Sequence, residues 1–519
     1  MKIKPVYWLV IIMALAVFFR LWMLNTIPPG LYPDEAMNGN NASEALQTGE
    51  YKVFYPENNG REGLFANIEA ISIKIFGNEP WALRLVSAIF GILTVLGVYF
   101  LTKELFKKET IALFASFFIA TSFWHIMFSR IGFRAIMAPA FLVWSLYFLF
   151  LALRKNGYSM PLLSGLLFGL GFHSYIAYRA APLLLIPVFI IFLKNKKFKP
   201  LIIFCLGAFI AVLPLLIFFA QNPQDFLGRT SQISIFSLES PVLELGKNIL
   251  LTIGMFFIHG DGNWRHNFAG APELWWPVAI LFLLGSILSL RKIFKIENIF
   301  LWLWIIVMAL PVVISSEGLP HALRAIIIIP PVMILAALGL DWIIEKIKKW
   351  LDLQISKHPE STNQLGRIKK ELMLLVFILM ITIGIHSYNL YFQKWAYNPN
   401  VYWAFSENYA EIGRYLNQAP QDLNKYVIIN ADGVEVRGVS MPSQTVMFIT
   451  NTFLPENQQT KNIYYITRPE IDNFIEKIKT EENFEIIMLE TDSDLRQKIS
   501  SAVPEIKTYQ DSGVLIQGK

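Results

Sequence analysis

Two adjacent carboxylates, Asp34 and Glu35, sit in the run PPGLYPDEAMNGN, a few residues beyond the first long apolar stretch of the chain. A carboxylate within hydrogen-bond reach of a hydroxyl can take its proton. The same pair in the first turn of a helix serves as a cap, where an acid gains about 0.3 to 1 kcal/mol from the helix dipole. Position alone leaves both roles open. Their company bears on the choice. Arg20, Arg84, Arg130, Arg134, Arg179 and Arg324 recur at the ends of apolar stretches, Arg61 and Glu62 share the loop of the acidic pair, and Arg265 follows in a later loop. Guanidinium groups grip phosphate through paired hydrogen bonds. Singly, each arginine can instead snorkel to a membrane surface or pair with an acid such as Glu62 or Glu317. That all of them do only this is the weaker account.

Five of the seven histidines, His125, His173, His259, His266 and His321, complete the polar inventory near the face of the acidic pair. None stands at a zinc-chelating spacing, and HEXXH is absent. His266, in GDGNWRHN, and His321, in EGLPHALR, each lie near an arginine and are the two expected to face a site. The single Cys205 offers neither a disulfide framework nor a thiolate metal site. Asn41-Ala42-Ser43 matches a glycosylation acceptor and carries little weight so close to the acidic pair.

The elements that must position these residues are dominated by lipid-soluble helices. Of 519 residues 54% are hydrophobic and 16% charged, and the mean hydropathy is +0.46. Eleven spans are expected, near residues 6–24, 83–101, 111–128, 135–153, 161–177, 180–193, 201–220, 274–290, 299–316, 323–341 and 371–390. The sixth is short and holds Pro182 and Pro187. With the N-terminus in the cytoplasm, the inner segments carry 21 basic residues in 65 positions and the outer segments 9 in 125. That asymmetry sets the orientation and places the C-terminus outside. The net charge of +6 belongs to the inner loops, so it implies lipid contact and no nucleic-acid partner.

Residues 1–390 therefore form a membrane module, with outer loops 25–82 and 221–273 and a cytoplasmic loop 342–370. Within the first loop, helices are expected from Asp34 to about Leu46 and over roughly 61–76, the latter lying in the membrane interface. The second loop should hold an interfacial helix near 249–258. Residues 391–519 read as an extracytoplasmic α/β domain: YVIINA, TVMFIT, NIYYIT, FEIIML and GVLIQ are β-type runs, alternating with helical patterns at 401–418 and 469–480. No glycine-rich phosphate loop occurs in it.

The runs PPGLYPDEAMNGNNASEAL, PENNGREGLF, PWALRLVSAIFGILTV, FWHIMFSRIGFRAI and SYIAYRAAPLLLIP, in this order over about the first 340 residues, resemble bacterial members of the protein O-mannosyltransferase-like family. That family lies within the GT-C glycosyltransferases, beside the aminoarabinose transferases that modify lipid A. The resemblance implies a polyprenyl-phosphate-linked sugar donor, an unspecified acceptor on the outer face of the cytoplasmic membrane, and an acidic motif at the reaction centre, here Asp34-Glu35. Donor phosphate would fall to Arg130, Arg134, Arg179 or Arg324, with Arg61, Glu62, Arg84, Arg265, His266 and His321 as further substrate-site candidates. Mg or Mn would suit two carboxylates and a phosphate, but no second acidic cluster completes such a site, and no obligatory metal or cofactor is expected. The rival reading is a lipid-linked glycan carrier or flippase, which usually has related halves; no repeat is evident.

Overall fold

A computed structural model describes residues 4–155, 157–226, 234–358 and 361–519. Parts of the loop 221–273, expected outside (227–233), and of the loop 342–370, expected in the cytoplasm (359–360), lie outside the described residues.

Every apolar stretch expected to cross the bilayer contains a helix. The helices are Pro5–Leu21, Pro80–Phe106, Glu109–Thr121, Met137–Arg154, Ser159–Gly171, Pro182–Lys194, Phe198–Gln221, Trp276–Arg291, Ile296–Val313, Ile329–Lys357 and Thr362–Tyr388. By length and composition, six helical stretches among the described residues are long and apolar enough to cross a membrane, and four shorter apolar ones accompany them. The short sixth stretch gains length because a 3-10 turn, Ile176–Ala180, runs into Pro182–Lys194. Pro182 fits because the first helical position needs no N–H partner.

The chain divides into two compact units. The first comprises Met1–Trp22, Ser87–Arg130 and Arg134–Ala396. Its helices pack closely where side chains vanish: a Cβ on Gly285 would collide with the backbone of Leu335, and one on Gly339 with that of Leu281. In the stretch between two helices expected to be an interfacial segment, the helix is Pro241–Gly254, starting earlier than its apolar core because Pro241 sets its first turn. The last long helix widens into a π-helix, Asn389–Trp395, whose Tyr391, Phe392 and Trp395 are buried.

The second unit comprises Met23–Val86, Ile131–Phe133 and Tyr397–Lys519. Its sheet has five strands: β1 (Asn424–Ile429), β2 (Ile463–Thr467), β3 (Phe484–Met488), β4 (Lys507–Asp511) and β5 (Val514–Gly518). Their order is β2-β1-β3-β5-β4, with β1 parallel to both β2 and β3 and β5 antiparallel to β3 and β4. Buried apolar clusters centred on Val427, Ile487 and Ile516 and on Tyr426, Ile428 and Ile486 lie on alternate positions of the strands, which explains their nearly continuous apolar runs.

Four of the five expected β-type runs are strands. The fifth, TVMFIT, is helical, within Ser443–Thr450. All of Ser443 to Phe448 is buried, and periodicity cannot separate a strand from a helix in a short apolar run covered on every side. In the first loop the helix expected over 61–76 begins at Leu64, because Arg61 and Glu62 pair with Phe54 and Tyr55 in a two-residue ladder. Asn41 is 1% exposed, which closes it as a glycosylation acceptor.

Candidate active site

The helix carrying the acidic pair, Pro33–Thr48, starts with proline at its first position and has Asp34 and Glu35 in its first turn. The two carboxylates have opposite fates. Glu35 is fully buried. Its Oε2 accepts from Arg84 Nε at 3.0 Å and from the Gly132 backbone N–H at 2.7 Å. Its Oε1 accepts from the Tyr32 N–H and from the second Arg84 nitrogen, both at 3.3 Å. Arg84 also donates to the carbonyls of Pro28 and Gly30, at 2.6 and 2.8 Å. Glycine at 132 eases the close approach, since a Cβ there would stand 3.2 Å from Glu35 Oε2.

Asp34 is half-buried. Among the described residues its one hydrogen-bond partner is Asn58, whose amide donates to Oδ1 at 2.6 Å. Asn58 sits in the turn of the Phe54–Glu62 hairpin, where Asn58, Asn59 and Gly60 take positive φ of 51°, 64° and 81°. Asparagine and glycine are the residues that occupy this region most readily.

Behind the pair lies a buried polar layer. Arg61 donates to Asn38 Oδ1 at 2.6 Å and to Asn41 Oδ1 at 2.7 Å, and Asn38 donates to the Gly132 carbonyl at 3.2 Å. Glu62 is buried in the hairpin ladder opposite Phe54. Glu69 is 0% exposed, and neither of its oxygens has a hydrogen-bond partner among the described residues. Burial first, then the charge of Glu35, hold its carboxyl well above the ordinary value, against the pull of Arg61.

The C-terminal segment supports the same helix. Asn40 donates to the Gln444 carbonyl at 3.1 Å, and Thr445 donates to the Leu31 carbonyl at 2.8 Å. Arg437 makes a bidentate pair with Glu44 at 2.8 and 2.9 Å. A Cβ on Gly39 would run into the Phe448 ring.

The remaining expected site residues belong to the first unit. Arg130 is fully buried, donating to Tyr391 Oη at 3.2 Å and the Phe19 carbonyl at 3.1 Å, with its guanidinium 5.0 Å from the Phe392 ring centre. Arg134 opens a 3-10 turn, Arg134–Ile136, and is half-buried. Arg179 donates to the Phe226 carbonyl at 2.7 Å, and Arg324 to the Glu317 carbonyl at 2.8 Å and to Ser315 Oγ. Arg265 lies in the Asn263 turn, its N–H donating to the Asn263 side chain at 3.0 Å.

His266 and His321 come together, their ring centres 5.0 Å apart, around a residue the sequence reading passed over, Asp261. Its Oδ2 is 2.9 Å from His266 Nδ1 and 3.7 Å from His321 Nδ1, and accepts from the Ala322 N–H at 2.8 Å. Burial pushes the Asp261 carboxyl up, but the His266 hydrogen bond and the field of both histidines carry it below the ordinary value. The three side chains could hold a cation, their ligand atoms lying within 4.8 Å of one another, and they are the one such cluster among the described residues. Because Oδ2 already accepts two hydrogen bonds, the arrangement as it stands is a carboxylate–imidazole network, and a cation would have to replace the proton shared with His266. Asp261 stands five residues before His266 in GDGNWRHN, a proximity that could have exposed it. Glu69 was legible too: Phe65, Glu69 and Ile73 fall on one buried helical face.

The family described as dolichyl-phosphate-mannose-protein mannosyltransferase matches residues 64–218, which bears out the resemblance read from the sequence motifs. That description is of a transferase, not of a carrier. No curated protein matches the chain. Among solved structures, the chain is similar to ArnT from Cupriavidus metallidurans bound to undecaprenyl phosphate, at 12% identity and a TM-score of 0.59 over 99% of this chain and 98% of that one. It is also similar to the oligosaccharyltransferase of Archaeoglobus fulgidus in its apo form, at 15% identity and a TM-score of 0.56 over 97% of this chain and 69% of that one. The likeness is one of fold: a helical membrane protein with a C-terminal sheet domain, as the composition led one to expect.

Proposed function

We propose that this chain, a membrane glycosyltransferase of the GT-C fold, transfers a sugar from a polyprenyl-phosphate-linked donor to a hydroxyl of an acceptor at the outer face of the cytoplasmic membrane. The observation that carries the division of labour is the contrast between the two acids. Glu35 spends both oxygens on Arg84, Gly132 and Tyr32, so it positions the loop. Asp34 has one amide partner and a half-exposed carboxylate, so it is the base.

In this reading Asp34 removes the proton as the acceptor oxygen attacks the anomeric carbon. The bond from that carbon to the lipid phosphate breaks, and attack opposite the leaving group inverts the configuration. The departing phosphate gains negative charge, and preorganised cations stabilise it without reorganisation. Arg134, Arg179 and Arg324 are assigned this role on charge and on their place at the ends of apolar helices. Arg130, held by Tyr391 and Phe392, is the least available of the four to a substrate. Arg265, His266 and His321 remain substrate-side candidates. No step needs a metal.

The donor class is supported by the undecaprenyl phosphate bound to the similar ArnT and by the basic-residue asymmetry, which favours an acidic loop outside, away from nucleotide sugars. The test is mass spectrometry of glycoconjugates from cells carrying the wild-type chain or Asp34→Asn at equal expression. A sugar present with the wild type and lost with Asp34→Asn is the expected result. An unchanged glycan profile with the variant removes Asp34 as base.

A further inference from the structure

The C-terminal domain contains a cavity of about 450 Å³ that the transfer step does not use. It lies between the segment 402–412, the C-terminal end of β3 and the strand β5. Its floor is apolar, with Ile412, Leu489 and Val514 buried beneath it. Its walls are aromatic and hydrogen-bonding. Tyr402 and Trp403 stand with ring centres 5.0 Å apart at 79° to one another, making a corner of two ring faces. Trp403 is 66% exposed. Two carboxylates are already oriented by phenols: Tyr402 donates to Glu411 Oε2 at 2.8 Å and Tyr409 to Glu490 Oε1 at 3.3 Å. Gln517, 3% exposed, also lines the cavity. Its amide nitrogen is used by Ser500 and the Arg496 carbonyl, while its Oε1 has no partner among the described residues.

We propose that this cavity is a binding site for a neutral saccharide unit of the acceptor, with Tyr402 and Trp403 covering a C–H face of the sugar ring and Glu411, Glu490 and Gln517 accepting its hydroxyl protons. The claim rests on reading the chain as a transferase, and it names the acceptor class. A pyranose is amphipathic in the way the lining is: a flat apolar face edged by hydroxyl donors. Sites of this size combine an apolar floor with a few convergent polar groups. Glu411 and Glu490 outnumber Arg496, the one cation in the lining, and the net negative wall disfavours an anionic ligand. An extended peptide is disfavoured for a separate reason. The strands that line the cavity, β3 and β5, are hydrogen-bonded on both sides, so no ladder edge is open for strand addition.

The experiment is saturation-transfer NMR on the full-length protein in phosphatidylcholine nanodiscs, with mannotriose, cellotriose, chitotriose and a serine- and threonine-rich peptide as probes. Transfer to at least one neutral trisaccharide is expected, weakened at least tenfold by Trp403→Ala and by Glu411→Gln and retained in Asp34→Asn. Binding is read without turnover, so the pocket and the catalytic assignment fail separately. Absence of transfer to every sugar, equal binding by all variants, or transfer to the peptide alone overturns the proposal. So does quenching of Trp403 fluorescence by brominated lipid, judged against Trp403→Phe, since that places Trp403 in the headgroup layer as a membrane anchor.

Discussion

Arg84 binds Glu35 with its Nε 3.0 Å from Oε2, and both side chains are buried. The same guanidinium reaches the Pro28 and Gly30 carbonyls, so one ion pair fixes both the entry of the first loop and the start of its helix. An acid at a helix N-terminus and an acid at a reaction centre are usually rival readings of one residue. In the proposed reading, two neighbours take one each.

Breaking this pair strands a buried charge, which typically costs about 3 to 5 kcal/mol. Arg84→Met should lower the thermal unfolding temperature of the purified protein sharply, and Glu35→Gln in the same chain should recover part of the loss. A double-mutant cycle in detergent measures it. Additive losses would mean that the two side chains are not coupled.

Asp34→Asn is expected to do the reverse, leaving the unfolding temperature in place while lowering transfer by roughly 10²- to 10⁴-fold, the usual worth of a positioned base. Single-turnover transfer and thermal unfolding of one preparation give both readings. A variant as unstable as Arg84→Met would return Asp34 to a structural role.

Glu69 predicts a pH effect. Its folded carboxyl is held well above 4.5 by burial and by Glu35, so the unfolded chain gives up this proton first as pH rises. Stability from this group therefore falls between the ordinary carboxyl value and the raised folded one. Glu69→Gln should flatten that fall and be the more stable protein at pH 8. Unfolding temperatures of the two proteins compared from pH 5 to pH 8 decide it, and parallel curves would show that Glu69 is not held protonated.

The network around Asp261 predicts that a chelator is harmless. Transfer measured before and after EDTA treatment and desalting should be equal, because Oδ2 is occupied by His266 and Ala322. A fall that zinc or manganese restores would instead make Asp261, His266 and His321 a metal site.

Gly39 tests the support given by the C-terminal segment. Gly39→Leu inserts a side chain where the Phe448 ring lies, and overpacking of this kind costs about 1 to 3 kcal/mol. Reduced transfer together with lower unfolding temperature is expected, with partial rescue by Phe448→Ala.

The helical stretches were legible because lipid leaves a plain signal: long runs of Leu, Ile and Phe whose backbone must satisfy itself. The acidic helix was legible from Pro33, Asp34 and Glu35, which together mark a helix start. Other features depend on contacts between distant segments. Arg61 reads as a substrate-site candidate until Asn38 and Asn41 are brought to it. TVMFIT reads as a strand until its cover on every side is known. Locally the two acids differ only in that Glu35, at the third helical position, meets the Tyr32 N–H; Gly132, which also claims Glu35, is 97 positions away.

The contact between Asn40 and Gln444 joins residues 404 positions apart. At about 5 to 20 residues per second of synthesis, the loop bearing the acidic pair emerges some tens of seconds before the segment it rests on. During that interval Gly39 and Asn40 lack the helix they pack against, so the newborn loop cannot take its final packing. The acidic helix thus reaches its final packing only after the segment 443–450 has been made and folded.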